Sequence, residues 1–473
     1  MINRFTLFDH LVINNGQWRS RIVSIIRKNW TFSRKIGVNK LKLDGLNFST
    51  DKFLNTKKSK NTNFTLILGL GLKENFISNT GAVKVICNEK NYTSVKPASI
   101  LCLGLGWFPK TPGGLERYVY ELTLRLAKNK DQVELCGVGL PEDETNIPIT
   151  MTNLAAPDTS ILQRLWMVRN NFKKTRIKKP DAVNLHFALY SLPILDLLPK
   201  NVPITFNFHG PWASESQQEG VDNITALLKK SFVEQRTYRR CDRFIVLSKA
   251  FGNILHQQYQ IPWEKIFVIP GGVDINHFKS DLSIQEARIK LGWSIERPTL
   301  FTSRRLVHRV GLDKLLIAIA QIKPKIPDIY LAIAGKGPLQ TSLQQQVKEL
   351  GLEDNVKFLG FLPEELLPVA YQAADLTIMP SQSFEGFGLA IVESLACGTP
   401  VICTPVGGMP EILEPFSPDL IAESSEITAI AQKLEQVFLG EIVKPSQQEC
   451  REYAVNNFDW DKIAQQVRDV ILA

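Results

Sequence analysis

The sequence predicts an α/β protein with two successive domains, each a doubly wound parallel sheet. Three observations predict it. Short apolar runs alternate with segments of helical spacing in two successive series, one from Ala98 and one after Phe278; strands alternating with helices imply parallel sheets covered on both faces. Glycine-rich turns stand where helices open, at Gly113-Gly114 and at Gly386-Phe387-Gly388. A chain of 473 residues is also too long for one ordinary core.

Residues 1–96 hold 17 Lys or Arg against 5 Asp or Glu, a balance of +12, so the other 377 residues carry −3 of a net +9. This segment is rich in Asn, Lys and Ser and has no helical or alternating pattern, so it reads as a basic, poorly ordered extension. Its charge suits a phosphate or membrane surface, or simply a solvated tail.

From Ala98 the texture changes. SILCLGLGWFP reads as a buried strand entering a loop, and GGLERYVYELTLRLAKN as a helix whose Leu115, Tyr118, Val119, Leu122 and Leu126 keep helical spacing. Apolar strands follow at QVELCGVGL, DAVNLHF, ITFNF and RFIVLS, giving a first domain over 97–271. A hinge falls near Gly271-Gly272. The second series, over 272–458, has strands at TLFTSRR, IYLAIAG, VKFLG, DLTIMPS and PVICTP, with helices fitting 311–322, 339–350, 364–373, 389–397 and 427–438. A last helix, 459–473, begins at Asp459-Trp460-Asp461, which reads as an N-cap with an anchoring tryptophan.

Composition narrows the class. Hydrophobic residues at 44% and charged residues at 22% are ordinary for a globular protein. The longest apolar run near the start, FTLILGLGL, is far short of the roughly 20 residues of a membrane span. No basic-then-apolar leader opens the chain, and seven cysteines without a CxxC pair suit reduced thiols, so a cytoplasmic location is expected. No zinc-ligand spacing is present, and no nucleic-acid partner is expected.

The richest stretch is SFEGFGLAIVESLACGTPVICTPVGG. Phe387, Gly388 and Leu389 open a helix whose free backbone N–H groups can hold an anion. Glu385, in the loop before it, and Glu393, on its second turn, are eight positions apart and can face one cleft, where carboxylates suit sugar hydroxyls. Gly113 and Gly114 offer a second helix N-terminus to an anion. His209 ends the apolar strand TFNFHG, where ligand sites of α/β sheets gather, and His186 ends the strand before it.

The stretch resembles the donor-binding motif of family-4 retaining glycosyltransferases, and the resemblance implies their GT-B fold, two Rossmann-like doubly wound parallel-sheet domains facing across a cleft. The likeness continues in order through GGLERYV, TFNFHG, VIPGGVDINHF, SRRLVHRVGL and IAGKGPL, over roughly residues 97–473. It implies a metal-independent enzyme that moves a hexosyl group from a UDP- or GDP-sugar to a hydroxyl acceptor with retention, and that uses no further cofactor. Glu393 is then expected to contact the ribose hydroxyls, and Glu385 the transferred hexose. Arg305 is expected on the phosphates, with N–H groups at Phe387, Gly388 and Leu389 on sugar and phosphate. Gly335-Lys336-Gly337 would turn beneath the nucleotide, and residues 358–362 would border the base. His209 would hydrogen-bond the sugar or help take a proton. The final helix would brace the first domain.

The pattern is broken at one place: where the family carries a lysine five residues after the arginine, this chain has Val310, with Arg309 adjacent as a substitute charge. A degenerate protein that binds nucleotide or polymer without turnover, or a nucleotide-sugar epimerase, is the alternative. The acceptor stays open among lipid-linked sugars, polysaccharide precursors and small metabolites. A lipid acceptor would suit peripheral association with the inner face of a membrane, with Trp107 and Phe108 as contacts, although core packing accounts for those aromatics equally well.

Overall fold

The computed structural model describes residues 40–43, 46–49, 96–141, 147–175, 179–279 and 281–473. The basic extension expected over 1–96 lies almost wholly outside the described residues. Within it, β1 (Lys40–Leu43) and β2 (Leu46–Ser49) pair antiparallel, Leu43 opposite Leu46. No element was expected there. The alternation in LKLDGLNFS around Asp44-Gly45 is the hairpin signal that the compositional reading passed over.

The body of the chain, from Ala98, carries two parallel sheets. The first contains β3 (Ser99–Leu103), β4 (Gln132–Val138), β5 (Thr150–Ala155), β6 (Ala182–Leu185), β7 (Ile204–Phe208), β8 (Arg243–Val246) and β9 (Ile266–Val268) in the spatial order β5-β4-β3-β6-β7-β8-β9. The second contains β10 (Thr299–Ser303), β11 (Tyr330–Ala334), β12 (Val356–Gly360), β13 (Leu376–Met379) and β14 (Val401–Cys403) in the order β12-β11-β10-β13-β14. Both orders are doubly wound, reversing beside the first strand of the series. Central strands such as β6 and β7 are buried along their whole length, which is why they read as continuous apolar runs. The edge strands β5 and β9 were not foreseen: TMTNLA is half polar and IFV is three residues long.

The helices that matter for the cleft are α1 (Gly114–Lys128), α2 (Ile161–Lys174), α3 (Trp212–Gln218), α4 (Asn223–Leu228), α5 (Lys249–Tyr259), α6 (Leu312–Ile322), α7 (Gln340–Glu349), α8 (Leu367–Ala373), α9 (Leu389–Ala396), α10 (Ile427–Phe438), α11 (Gln447–Phe458) and α12 (Trp460–Leu472). Apolar layers cover both faces of each sheet. On one face of the first sheet, Trp460, Ile463, Ala464, Val467 and Ile471 of α12 pack with Ile100, Cys102 and Tyr118. The chain crosses between the sheets twice at one point. Val273 N–H donates to Phe458 O at 2.7 Å, and Trp460 N–H to Val273 O at 3.2 Å. A side chain at Gly272 would strike the Trp460 ring at 2.5 Å, so this crossing demands glycine.

Candidate active site

Ligands of doubly wound sheets bind beyond the carboxyl ends of the strands, where the strand order reverses. In the first sheet that point lies between β3 and β6, and in the second between β10 and β13. The loop after β3 runs to Gly113 and α1; His186 and His209 follow β6 and β7. Arg304 and Arg305 follow β10, and Ser381 follows β13. Topology alone therefore gathers these side chains along the facing ends of two sheets.

Two helix N-termini meet there. Gly113 and Gly114 are exposed at the start of α1, and a side chain at Gly114 would lie 4.0 Å from Leu389, the first residue of α9. Gly388, at φ +100°, sets the entry to α9 in a conformation that glycine favours. Both helix ends carry partial positive charge and N–H groups without a helical partner, although at α1 the Glu116 carboxylate turns back onto its own N–H. Arg305 is exposed beside them, and its charge reaches both Glu116 on α1 and Glu215 on α3. Burial raises both carboxyls above the ordinary range, opposed at Glu116 by its own backbone hydrogen bond and at Glu215 first by Arg309. The Glu116 carboxylate fills the space that a side chain at Gly113 would take.

The second lobe supplies an ionic wall. Arg304 pairs with Glu385, and Ser381 Oγ donates to the same carboxylate oxygen at 3.1 Å. Burial would push Glu385 up, but the charge of Arg304 and its hydrogen bond outweigh this and hold it below the ordinary range. Arg309 adds its charge to Glu385 and donates to Phe384 O at 3.2 Å. Val310, at the position where a lysine was expected, is 1% exposed in the core beneath α6. Gly335, at φ +128°, turns so close that a side chain would strike Arg304 O at 1.9 Å; it shapes the loop of the arginines. Lys336 is exposed.

The first lobe supplies a neutral wall. Tyr118 donates to Asn207 Oδ1 at 3.2 Å, and Asn207 Nδ2 donates to Asn184 Oδ1. Asn184 Nδ2 meets His186 Nε2 at 3.0 Å, and His186 Nδ1 meets His209 Nε2 at 3.2 Å. Burial holds both imidazoles below their ordinary pKa, His209 down to about 3, and His209 adds to the effect on His186.

The walls are joined across the cleft by Arg117 of α1. Its guanidinium pairs with Glu393 of α9 at 2.6 Å and with Glu364, and it stacks over Phe108 at 4.6 Å. The other Glu393 oxygen accepts from Tyr371 at 3.0 Å. The Glu411 carboxylate accepts from Lys249 and Ala250 N–H at 2.8 Å each, at the start of α5.

Arg305, Arg309, Gly113, Gly114, Phe387, Gly388, Leu389, Glu385, Glu393 and His209 thus stand on the facing ends of the two sheets, with the Phe387 side chain turned into the core at 4% exposure and its backbone at the start of α9. Sequence reasoning missed Arg304, Arg117 and the buried Asn184, Asn207 and Tyr118. A repeated N-x-H, Asn184-Leu185-His186 and Asn207-Phe208-His209, was the available signal: two residues apart in a strand means one face. Trp107 is no surface contact; at 1% exposure it packs edge-on to Tyr120. In Asp459-Trp460-Asp461, Asp459 caps α12 and Asp461 pairs with Lys128 and Arg125.

The family described as Glycosyltransferase Family 4 matches residues 112–277, and that described as Glycosyl transferases group 1 matches residues 283–457. A GDP-mannose-dependent alpha-(1-6)-phosphatidylinositol monomannoside mannosyltransferase of Mycolicibacterium smegmatis is 29% identical over 205 residues, covering 41% of this chain and 52% of that protein. An uncharacterized glycosyltransferase of Methanocaldococcus jannaschii is 26% identical over 383 residues, covering 76% of this chain and 95% of that one. The chain therefore spans about half the length of the first relative and nearly all of the second. HepE of Anabaena, solved in complex with UDP-glucose, has the same fold, with a TM-score of 0.63 at 21% identity over 79% of this chain and 98% of that one.

Proposed function

This chain belongs to the family-4 glycosyltransferases of GT-B fold, and we propose that it moves a hexosyl group from a nucleoside-diphosphate sugar to a hydroxyl acceptor, with retention and without a metal. The observation that carries the reading is the meeting of the α1 and α9 N-termini, with Arg305 near enough to act on Glu116 of α1 and Arg309 beside Glu385 ahead of α9. When the bond from the anomeric carbon to the diphosphate breaks, negative charge grows on the leaving group. Fixed donors and cations aimed at that position stabilise it without reorganising. The oriented Glu385 carboxylate supports contact with hexose hydroxyls, and Glu393 with the ribose. Arg309, beside Glu385 while Val310 turns into the core, is the group that takes over the missing lysine's charge.

For the acceptor, the relatives favour a sugar or a lipid-linked sugar. Supporting a membrane-bound acceptor, α2 exposes Ile161 and Leu162 beside Trp166, which is 67% exposed, and ends in Lys173 and Lys174. Ile224 and Leu227 of α4, then Leu228 and Phe232 beside Lys229 and Lys230, form a similar apolar and basic strip. No helix among the described residues is long and apolar enough to cross a bilayer. Sedimentation with anionic vesicles should carry the protein down, and Trp166→Ser should reduce that fraction.

The direct test of the function is thermal stability of the full chain against UDP-, GDP- and ADP-sugars in EDTA. Ligand at 100 times its Kd stabilises the native state by about 2.7 kcal/mol. A rise in Tm with one base identifies the donor; no rise with any of them contradicts the reading.

A further inference from the structure

The chain of buried polar groups behind His209 has a direction, and the direction decides what His209 can do. Asn184, Asn207 and His186 are each at most 2% exposed, and Tyr118 is fully buried. Each link must therefore pair one donor with one acceptor, since an orphaned buried polar group costs about 1–3 kcal/mol.

The amides could in principle run either way, and the phenol breaks the symmetry. Tyr118 packs edge-on against Trp460 and His209, and among the described hydrogen bonds its hydroxyl has one acceptor, Asn207 Oδ1. Reversing both amides would strand the phenolic hydrogen in the core. With Tyr118 donating, Asn207 Nδ2 donates to Asn184 Oδ1, which turns Asn184 Nδ2 toward His186. An amide nitrogen only donates, so His186 Nε2 accepts and its proton sits on Nδ1. That proton is given to His209 Nε2, 3.2 Å away. The only proton left to a neutral His209 is on Nδ1, which makes no hydrogen bond among those described and belongs to a ring that is partly exposed.

We propose that Tyr118, Asn207, Asn184 and His186 form a directed relay that fixes His209 as the Nδ1–H tautomer, so that His209 serves the cleft as a hydrogen-bond donor and not as a base. The relay residues are positioning residues; His209 alone meets substrate. The inference rests on the transferase reading for what it implies about catalysis, but not for the tautomer itself. An Nδ1–H donor suits an accepting oxygen of the bound sugar nucleotide. With Nε2 committed to His186, His209 has no lone pair free to take the proton of an acceptor hydroxyl.

The test is imidazole nitrogen NMR on the full chain labelled with 15N-histidine, with the His209 resonances assigned by their loss in His209→Gln. The expected wild-type spectrum has His209 protonated on Nδ1. Asn184→Asp keeps the shape but offers His186 an acceptor instead of a donor, so His186 should move its proton to Nε2 and His209 should do likewise. Tyr118→Phe removes the group that sets the direction and should give His209 as a mixture of tautomers. Turnover of the donor should fall roughly 100-fold in Asn184→Asp, the scale of losing one preorganised donor, with affinity for the free nucleoside diphosphate within about twofold of wild type. His209→Asn, whose amide lies near the Nδ1 position, should keep more turnover than His209→Ala. A wild-type His209 protonated on Nε2, or one that keeps its tautomer in Asn184→Asp while His186 is neutral, overturns the proposal whether or not sugar transfer is detected. An Nδ1–H spectrum in a chain that no sugar nucleotide stabilises would uphold the relay and count against the transferase reading alone.

Discussion

The two walls of the cleft hold a polar group in one orientation by opposite means. The second lobe does it with charge: Glu385 is fixed by Arg304 and Ser381, with Arg309 alongside. The first lobe does it with neutral hydrogen bonds, five side chains long, from Tyr118 to His209. A buried ion pair is costly to desolvate, yet it keeps its sense whichever way neighbouring amides turn. A neutral relay is cheaper to bury and depends on every link. The difference teaches that the donor-side wall should fail by losing a partner, and the opposite wall by losing a direction.

The largest expected effect follows from the ion pair. Glu385→Ala leaves the Arg304 guanidinium, only 11% exposed, without its counter-charge and should cost about 3 kcal/mol of stability in denaturant unfolding. Adding Arg304→Met should return most of that loss, because no lone charge remains, while donor turnover stays abolished. A single variant as stable as wild type would mean that solvent already screens the pair, and the contrast between the walls would collapse.

Acid should separate the walls next. The imidazoles of His186 and His209 titrate lower in the folded chain than in the unfolded one. The stability they contribute is complete above about pH 6.5 and is lost as pH falls toward the folded values. Glu385 is also lowered, but from an ordinary carboxylate value, so its contribution is lost only below about pH 4.5. Between pH 6.5 and 4.5 each imidazole of the histidine wall should cost about 2 kcal/mol, while the raised carboxyls of Glu116 and Glu215 act in the opposite sense, so the histidine part is read as a difference between variants. His209→Asn should take away about half of the histidine contribution, and the double variant Glu385→Ala with Arg304→Met, which leaves no lone carboxylate, should leave that contribution unchanged.

The same contrast governs what could be read from the sequence. Two sheets were legible because their central strands are buried on both faces and read as apolar runs; β5 and β9 were not, being a half-polar edge and a three-residue edge. Glu385, Glu393, Arg305 and His209 stand on glycine-marked or strand-end positions that motif spacing exposes. Arg304 was passed over beside Arg305, since adjacent residues on a loop differ in direction and spacing does not say which one turns inward. Asn184 and Asn207 look like blemishes in apolar strands until β6 and β7 are neighbours. Arg117 is invisible as a cross-cleft contact, because its partner Glu393 is 276 positions away.

That contact gives the smallest predicted effect and the finest test, because it is where the walls touch. Glu393 is buried, with one oxygen on Arg117 and the other on Tyr371. If Glu393 takes the ribose hydroxyls of the donor, both carboxylate oxygens are wanted, and Arg117 competes for one of them. Arg117→Gln, whose amide can still donate to Glu393, should weaken the free protein by only about 1 kcal/mol, the net scale of one hydrogen bond. By the same amount it should favour the ligand, tightening UDP or GDP binding about fivefold in calorimetry. Weaker binding would make Arg117 a ligand contact instead of a rival. The α1 helix would then reach the nucleotide with its side chain as well as its N-terminus, and charge would belong to both walls.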